Sequence, residues 1–87
     1  MIIKIFSMKD CPKCEHAQKF KSEIENKGIK TEYHDIKTVD GLSEALMFNV
    51  MDSPSVVAVD DNNKELKIWK GSIPQIEEIK YLAEENV

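Results

Sequence analysis

Ile2-Ile3-Lys4-Ile5-Phe6-Ser7-Met8-Lys9-Asp10-Cys11-Pro12-Lys13-Cys14 runs from a β-branched apolar stretch directly into two cysteines three positions apart. Residues 2–7 read as a short buried strand. Pro12 falls where the first turn of a helix tolerates proline. Cys14, Ala17, Phe20 and Ile24 then keep the spacing of one buried helical face, and Gly28 stands where such a helix stops. The spacing predicts a helix from about Pro12 to Lys27. A cysteine pair between a strand and a helix, at the head of a βαβ unit, is the context that decides the fold.

The rest of the chain continues the alternation. Residues 29–36 predict a second strand, polar enough (Lys30, Glu32, His34, Asp35) for an exposed sheet edge. A second helix is expected from Asp40 as cap to about Asn49, burying Leu42, Ala45, Leu46 and Val50. Pro54-Ser55-Val56-Val57-Ala58-Val59 is a continuous apolar run, as a strand covered on both faces requires. Asp60-Asp61-Asn62-Asn63 is a turn cluster. Glu65 to Lys70 alternates apolar and charged residues and should close a hairpin. Ser72 with Gln75 reads as a capping box for a last helix over about 74–85, burying Ile76, Ile79 and Leu82 or Ala83. The order is β-α-β-α-β-β-α. The first crossover sets two parallel strands and the hairpin is antiparallel, so the reading is an α/β fold with a four-stranded mixed sheet and helices on both faces.

At 87 residues the chain has room for a single domain, 1–87, without linkers or repeats. Hydrophobic residues are 41% and charged residues 32%, the balance of an ordinary globule. The apolar runs fall far short of the roughly 20 residues that cross a bilayer. The N-terminus lacks the basic start and cleavage site of a signal peptide, so a cytoplasmic location is expected. Net charge is −4, and the 12 basic residues are all lysines, scattered along the chain. Nucleic-acid binders cluster Lys and Arg into a patch, so no nucleic-acid partner is expected.

Two cysteines so close together cannot staple a secreted mini-protein, because bridging so short a loop hardly constrains the unfolded chain. Their chemistry must explain them. At the start of a helix, free backbone N–H groups and the dipole favour an anion. That lowers the pKa of Cys11 and makes its thiolate available near neutral pH. Lys9 and Lys13 push the same way and Asp10 pushes against. Cys14, one turn later on the apolar face, is expected to stay shielded. Cys11 is therefore the candidate nucleophile and Cys14 the thiol that resolves the mixed disulfide. The alternatives are a metal-binding or carrier module, which would need two more ligands for zinc with only His16 and His34 at hand, or a pair of buried bystanders. Both histidines read as solvated surface residues.

Pro54 opens an apolar strand although proline cannot donate to a sheet ladder. A cis Ser53–Pro54 bond explains it, since X–Pro bonds take cis at modest cost. The Ser53 backbone would then be free to pair with an extended substrate segment.

Strand, Cys11-Pro12-Lys13-Cys14, helix, and Pro54 before the third strand together resemble the thioredoxin/glutaredoxin superfamily over essentially the whole chain. Cys-Pro-x-Cys and the short length are closer to glutaredoxins than to thioredoxin's Trp-Cys-Gly-Pro-Cys. The resemblance implies a thioredoxin-like, glutaredoxin-size fold, a thiol–disulfide oxidoreductase, and Pro54 as the cis-proline facing the dithiol. Glutaredoxins of this kind carry Thr-Val-Pro at the cis-proline and a Gly-Gly followed by an acid after the fourth strand. Here those places read Asp52-Ser53-Pro54 and Gly71-Ser72-Ile73-Pro74, without the acid that would hold the glutathione amine; Lys9 could still meet a carboxylate. Trp69-Lys70-Gly71-Ser72-Ile73-Pro74 is similar instead to the Trp-Ser-Gly-Phe-Arg-Pro of NrdH-type redoxins, the glutaredoxin-like donors to ribonucleotide reductase, keeping Trp, Gly and Pro. That similarity implies electrons from a thioredoxin-reductase-like flavoenzyme; glutathione remains the alternative.

The resulting expectation is a monomeric dithiol reductase of protein disulfides, with no metal and no bound cofactor. Its catalytic residues are Cys11 and Cys14. Its candidate substrate-binding residues are Lys9, Pro12, Lys13, Ser53, Pro54, Trp69 and Gly71.

Overall fold

Ile2–Ser7 form β1, and its residues from Ile3 onward are buried, because β1 lies inside the sheet and both its faces are covered. A computed structural model of the chain describes residues 1–8 and 15–85. Lys30–Asp35 (β2) pairs with β1 in parallel, Ile2 opposite Lys30, and Ser55–Val59 (β3) pairs with it antiparallel, Ile2 opposite Val59. Glu65–Trp69 (β4) closes an antiparallel hairpin with β3. The sheet order is β2-β1-β3-β4. The polar β2 is thus an edge strand and the apolar β3 an internal one, as their compositions demand.

Helix α1, Glu15–Asn26, makes the crossover between the parallel strands and buries Ala17, Phe20 and Ile24. It ends at Asn26, and the Gly28 N–H returns to the Glu25 carbonyl at 3.0 Å. The predicted beginning of this helix at Pro12 lies outside the described residues. Helices α2, Val39–Met47, and α3, Ile76–Glu85, complete the architecture. Strand alternation sorts the core into two layers. Ile3, Ile5, Val56 and Ala58 pack with α1 and with Ile79 of α3 on one face of the sheet. Phe6, Val57 and Val59 pack with Ala45, Phe48 and Val50 on the other.

Two helix starts differ from the sequence reading. The cap of α2 is Thr38, not Asp40: the Thr38 hydroxyl accepts from the Gly41 N–H at 3.0 Å, leaving Asp40 in the first turn, where an acid favours the dipole. Helix α3 starts two residues later than expected, and its reciprocal cap is not Ser72 with Gln75. The Gln75 N–H donates to Glu78 Oε2 at 3.0 Å, so Glu78 is the side chain that reaches back.

The burial of α2 is also a correction. Leu42 and Leu46, expected in the core, are 40% and 57% exposed. Gly41 and Ala45 face the sheet instead. A Cβ added to Gly41 would collide with the Asp35 carbonyl oxygen. The small side of this helix lies inward because only that side lets it approach so closely.

Candidate active site

The start of α1 and two loops surround one cleft. His16, Pro54, Gly71, Ser72 and Ile73 line a cavity of ≈ 400 Å³. The Ser53–Pro54 peptide ahead of β3 is cis, as a proline heading an internal strand led us to expect. Ser53 is half-buried and Pro54 buried.

Ser55 holds the cleft walls together. It is fully buried; its Oγ donates to the Asp52 carbonyl at 2.6 Å and accepts from the Gly71 N–H at 3.0 Å. One hydroxyl therefore joins the loop before β3 to the turn after β4. Gly71 has φ +71, and a Cβ there would meet Asp52 Cβ only at 3.6 Å. Backbone conformation rather than space calls for glycine at this position.

Trp69, a candidate substrate-binding residue, faces inward. It is half-buried against the α1/α3 core layer, and Lys67 Nζ lies 5.2 Å from its ring centroid. The residues that line the cleft do not include it. Lys9, Cys11, Pro12, Lys13 and Cys14 lie outside the described residues. His16, read as a surface residue, is exposed but forms part of the cleft wall. The available signal was its place two residues after Cys14. Ser55 carried no signal, because its partners are settled by the meeting of two loops.

A charged network lies on the α2 side of the sheet. Lys4 is only 4% exposed; its Nζ is 3.0 Å from Glu44 Oε2 and 3.5 Å from Glu32 Oε1, and stands 5.3 Å from the Phe48 ring centroid. His34 Nε2 is 3.0 Å from Glu32 Oε1, and its ring stacks on Phe6 with centroids 5.2 Å apart. His34 is thus half-buried and partnered rather than solvated. Partial burial pushes the Glu32 carboxyl up, but the His34 hydrogen bond and the Lys4 charge outweigh it and hold that carboxyl below its ordinary value. At the end of β1, Ser7 is fully buried, and its Oγ has no hydrogen-bond partner among the described residues.

Among the described residues no group of three or more His, Cys, Asp or Glu is placed to hold a metal ion. No helix among them is long and apolar enough to cross a membrane.

The family model described as thioredoxin domain matches residues 1–84. No curated protein matches the sequence. Among solved structures, the chain is similar to thioredoxin 1 from Thermosipho africanus TCF52B, at TM-score 0.74 and 24% identity over 100% of both chains. It is similar to a thioredoxin-like protein from Clostridium perfringens, at TM-score 0.79 and 17% identity, over 98% of this chain and 69% of that one. Fasciola hepatica thioredoxin matches at TM-score 0.73 and 17% identity, over 99% of this chain and 80% of that one. At these identities the structural likeness speaks for the fold.

Proposed function

The chain belongs to the thioredoxin domain family, and from that premise we propose that it is a thiol–disulfide oxidoreductase that reduces protein disulfides through Cys11 and Cys14. The observation that carries this reading is the Cys-Pro-Lys-Cys sequence between β1 and α1 of that fold. His16, a wall of the cleft, follows Cys14 by only two residues in the sequence, which supports the reading that substrate held in the cleft meets the dithiol.

In the proposed reaction the Cys11 thiolate attacks one sulfur of a substrate disulfide. A Cys11–substrate disulfide forms, and the other substrate sulfur leaves as a thiolate. Cys14, deprotonated, then attacks Cys11 Sγ. The Cys11–Cys14 disulfide forms and the second substrate thiolate departs. Substrate gains two electrons and the dithiol loses two. Pro54 and the Ser53 backbone supply one wall against which an extended substrate segment lies. Lys9, Pro12 and Lys13 flank the two cysteines in the sequence, and Gly71 supplies the left-handed backbone of the turn across the cleft.

The returning two electrons come, in this reading, from a thioredoxin-reductase-like flavoenzyme, as for the NrdH-type redoxins, rather than from glutathione. The place after the fourth strand where glutaredoxins carry an acid reads Gly71-Ser72-Ile73-Pro74 here, and none of the described residues lining the cleft is a carboxylate, which supports a glutathione ammonium without that counter-charge. Losing one such charge-assisted bond weakens binding by about 1.5–3 kcal/mol.

Trapping tests the cysteine roles. Cys14→Ser should accumulate mixed disulfides through Cys11, and Cys11→Ser should accumulate none. The reverse pattern would overturn the assignment. A coupled disulfide-reduction assay tests the donor, and efficient turnover with glutathione and glutathione reductase but with no thioredoxin reductase would reverse that part.

A further inference from the structure

Val39, Leu42, Leu46 and Met47 of α2, and Met51 just beyond it, are exposed to 81%, 40%, 57%, 66% and 62%. At about 100° per residue the four helical side chains share one half of α2, opposite the Gly41 and Ala45 face that packs on the sheet. A helix apolar on both sides is ordinarily covered on both.

The patch itself indicates what covers it. Its five side chains present on the order of 500 Å² of apolar surface, the size that marks a contact site on a monomer. A stable interface buries about 800 Å² per partner, whereas redox encounters lie at the low end of the range. Its position agrees with a transient redox contact. The Asn49 N–H donates to the Leu46 carbonyl at 3.1 Å and the Val50 N–H to the Ala45 carbonyl at 2.9 Å. This closure of α2 leads the chain through Met51 and Asp52 into Ser53–Pro54, so Met51 stands three residues from a wall of the cleft. Charge discriminates further. The exposed acids Asp40 and Asp52 adjoin the patch residues in sequence against one lysine, Lys37, and Glu44 is already paired with Lys4. A second copy would bring this acidic rim against itself, while a basic rim would complement it.

We propose that the outward face of α2, with Met51, is the docking surface for the disulfide-bearing protein that the dithiol reduces, a partner with an apolar patch and a basic rim. The inference rests on the oxidoreductase reading above.

Three disulfide peptides sharing one reactive loop test it: untagged, tagged with an amphipathic Leu/Lys segment, and tagged with a Leu/Glu segment. Each is mixed with the chain reduced beforehand with dithiothreitol and freed of the reagent, and reduction is followed by chromatography. The wild type should reduce the Leu/Lys peptide about tenfold faster than the untagged one, and the Leu/Glu peptide no faster. A variant combining Leu42→Gln, Leu46→Gln and Met47→Gln, exposed positions that accept a good helix former, should lose that advantage and keep the untagged rate. Equal rates for all peptides, an equal advantage for Leu/Glu, or an advantage surviving in the variant would overturn the proposal. So would a wild-type dimer in light scattering that the variant abolishes, which would make a second copy the occupant. Reduction of none of the three would instead defeat the dithiol reading, and the docking surface with it.

Discussion

The Ser55 hydroxyl oxygen accepts the Gly71 N–H at 3.0 Å across sixteen residues of chain. The same oxygen donates its proton to the Asp52 carbonyl at 2.6 Å, so one side chain sets the distance between two walls of the cleft. Ser55→Ala removes both bonds. Because Ser55 is fully buried while Gly71 can reach water, the expected loss is about 1–2 kcal/mol, measured by urea unfolding. A change below about 0.3 kcal/mol would mean that the bonds contribute nothing net.

Gly71→Ala should destabilise through the backbone alone. With φ +71 and no atom nearer than 3.6 Å to the added Cβ, the cost is that of a left-handed conformation, about 1–2 kcal/mol. Gly71→Asn should lose less than Gly71→Ala, since asparagine tolerates this region better. Equal losses for the two variants would point to steric contact instead.

Glu32 should shape the acid limb of stability. Its folded pKa lies below its ordinary 4.5, with burial opposing and the His34 and Lys4 contacts lowering it. Its contribution is therefore fully present above pH 4.5 and is lost as pH falls through the folded value. Unfolding free energies measured across that window should decline less steeply for Glu32→Gln than for the wild type. Identical slopes would exclude a role for this carboxylate.

Core and patch residues of similar chemistry should respond very differently. Ile24→Ala, at a fully buried position, should cost about 2–5 kcal/mol. Leu46→Gln, at a residue 57% exposed, should stay within about 0.5 kcal/mol. A large loss at Leu46 would place it in the core and remove it from the docking surface.

Ile2–Ser7, Ser55–Val59 and the Ala17, Phe20, Ile24 stripe were legible because each has one period and one composition. β-branched runs bounded by turn residues become strands, and a single apolar stripe faces a sheet in only one way. The cleft was half legible. Pro54 announced itself by its backbone chemistry, since proline cannot donate to a sheet ladder, whereas Gly71 entered only through the resemblance. His16 and Ser55 did neither, because a histidine or serine acquires a role only from what the fold brings beside it.

The sequence by itself determined the order of elements, the parallel crossover and the internal place of the apolar strand. All of these follow from local periodicity and covalent constraint. Only the tertiary structure decided which side of α2 lies inward, where Lys4 finds its two carboxylates, and why Ser55 is a hydroxyl. Val39, Leu42, Leu46 and Met47 make α2 apolar on the side away from its small residues, so no periodicity could orient it. The close approach at Gly41 to the end of β2 did. Lys4 is tolerated inside because Glu32 and Glu44 arrive from two other elements, a compensation no local window of sequence contains.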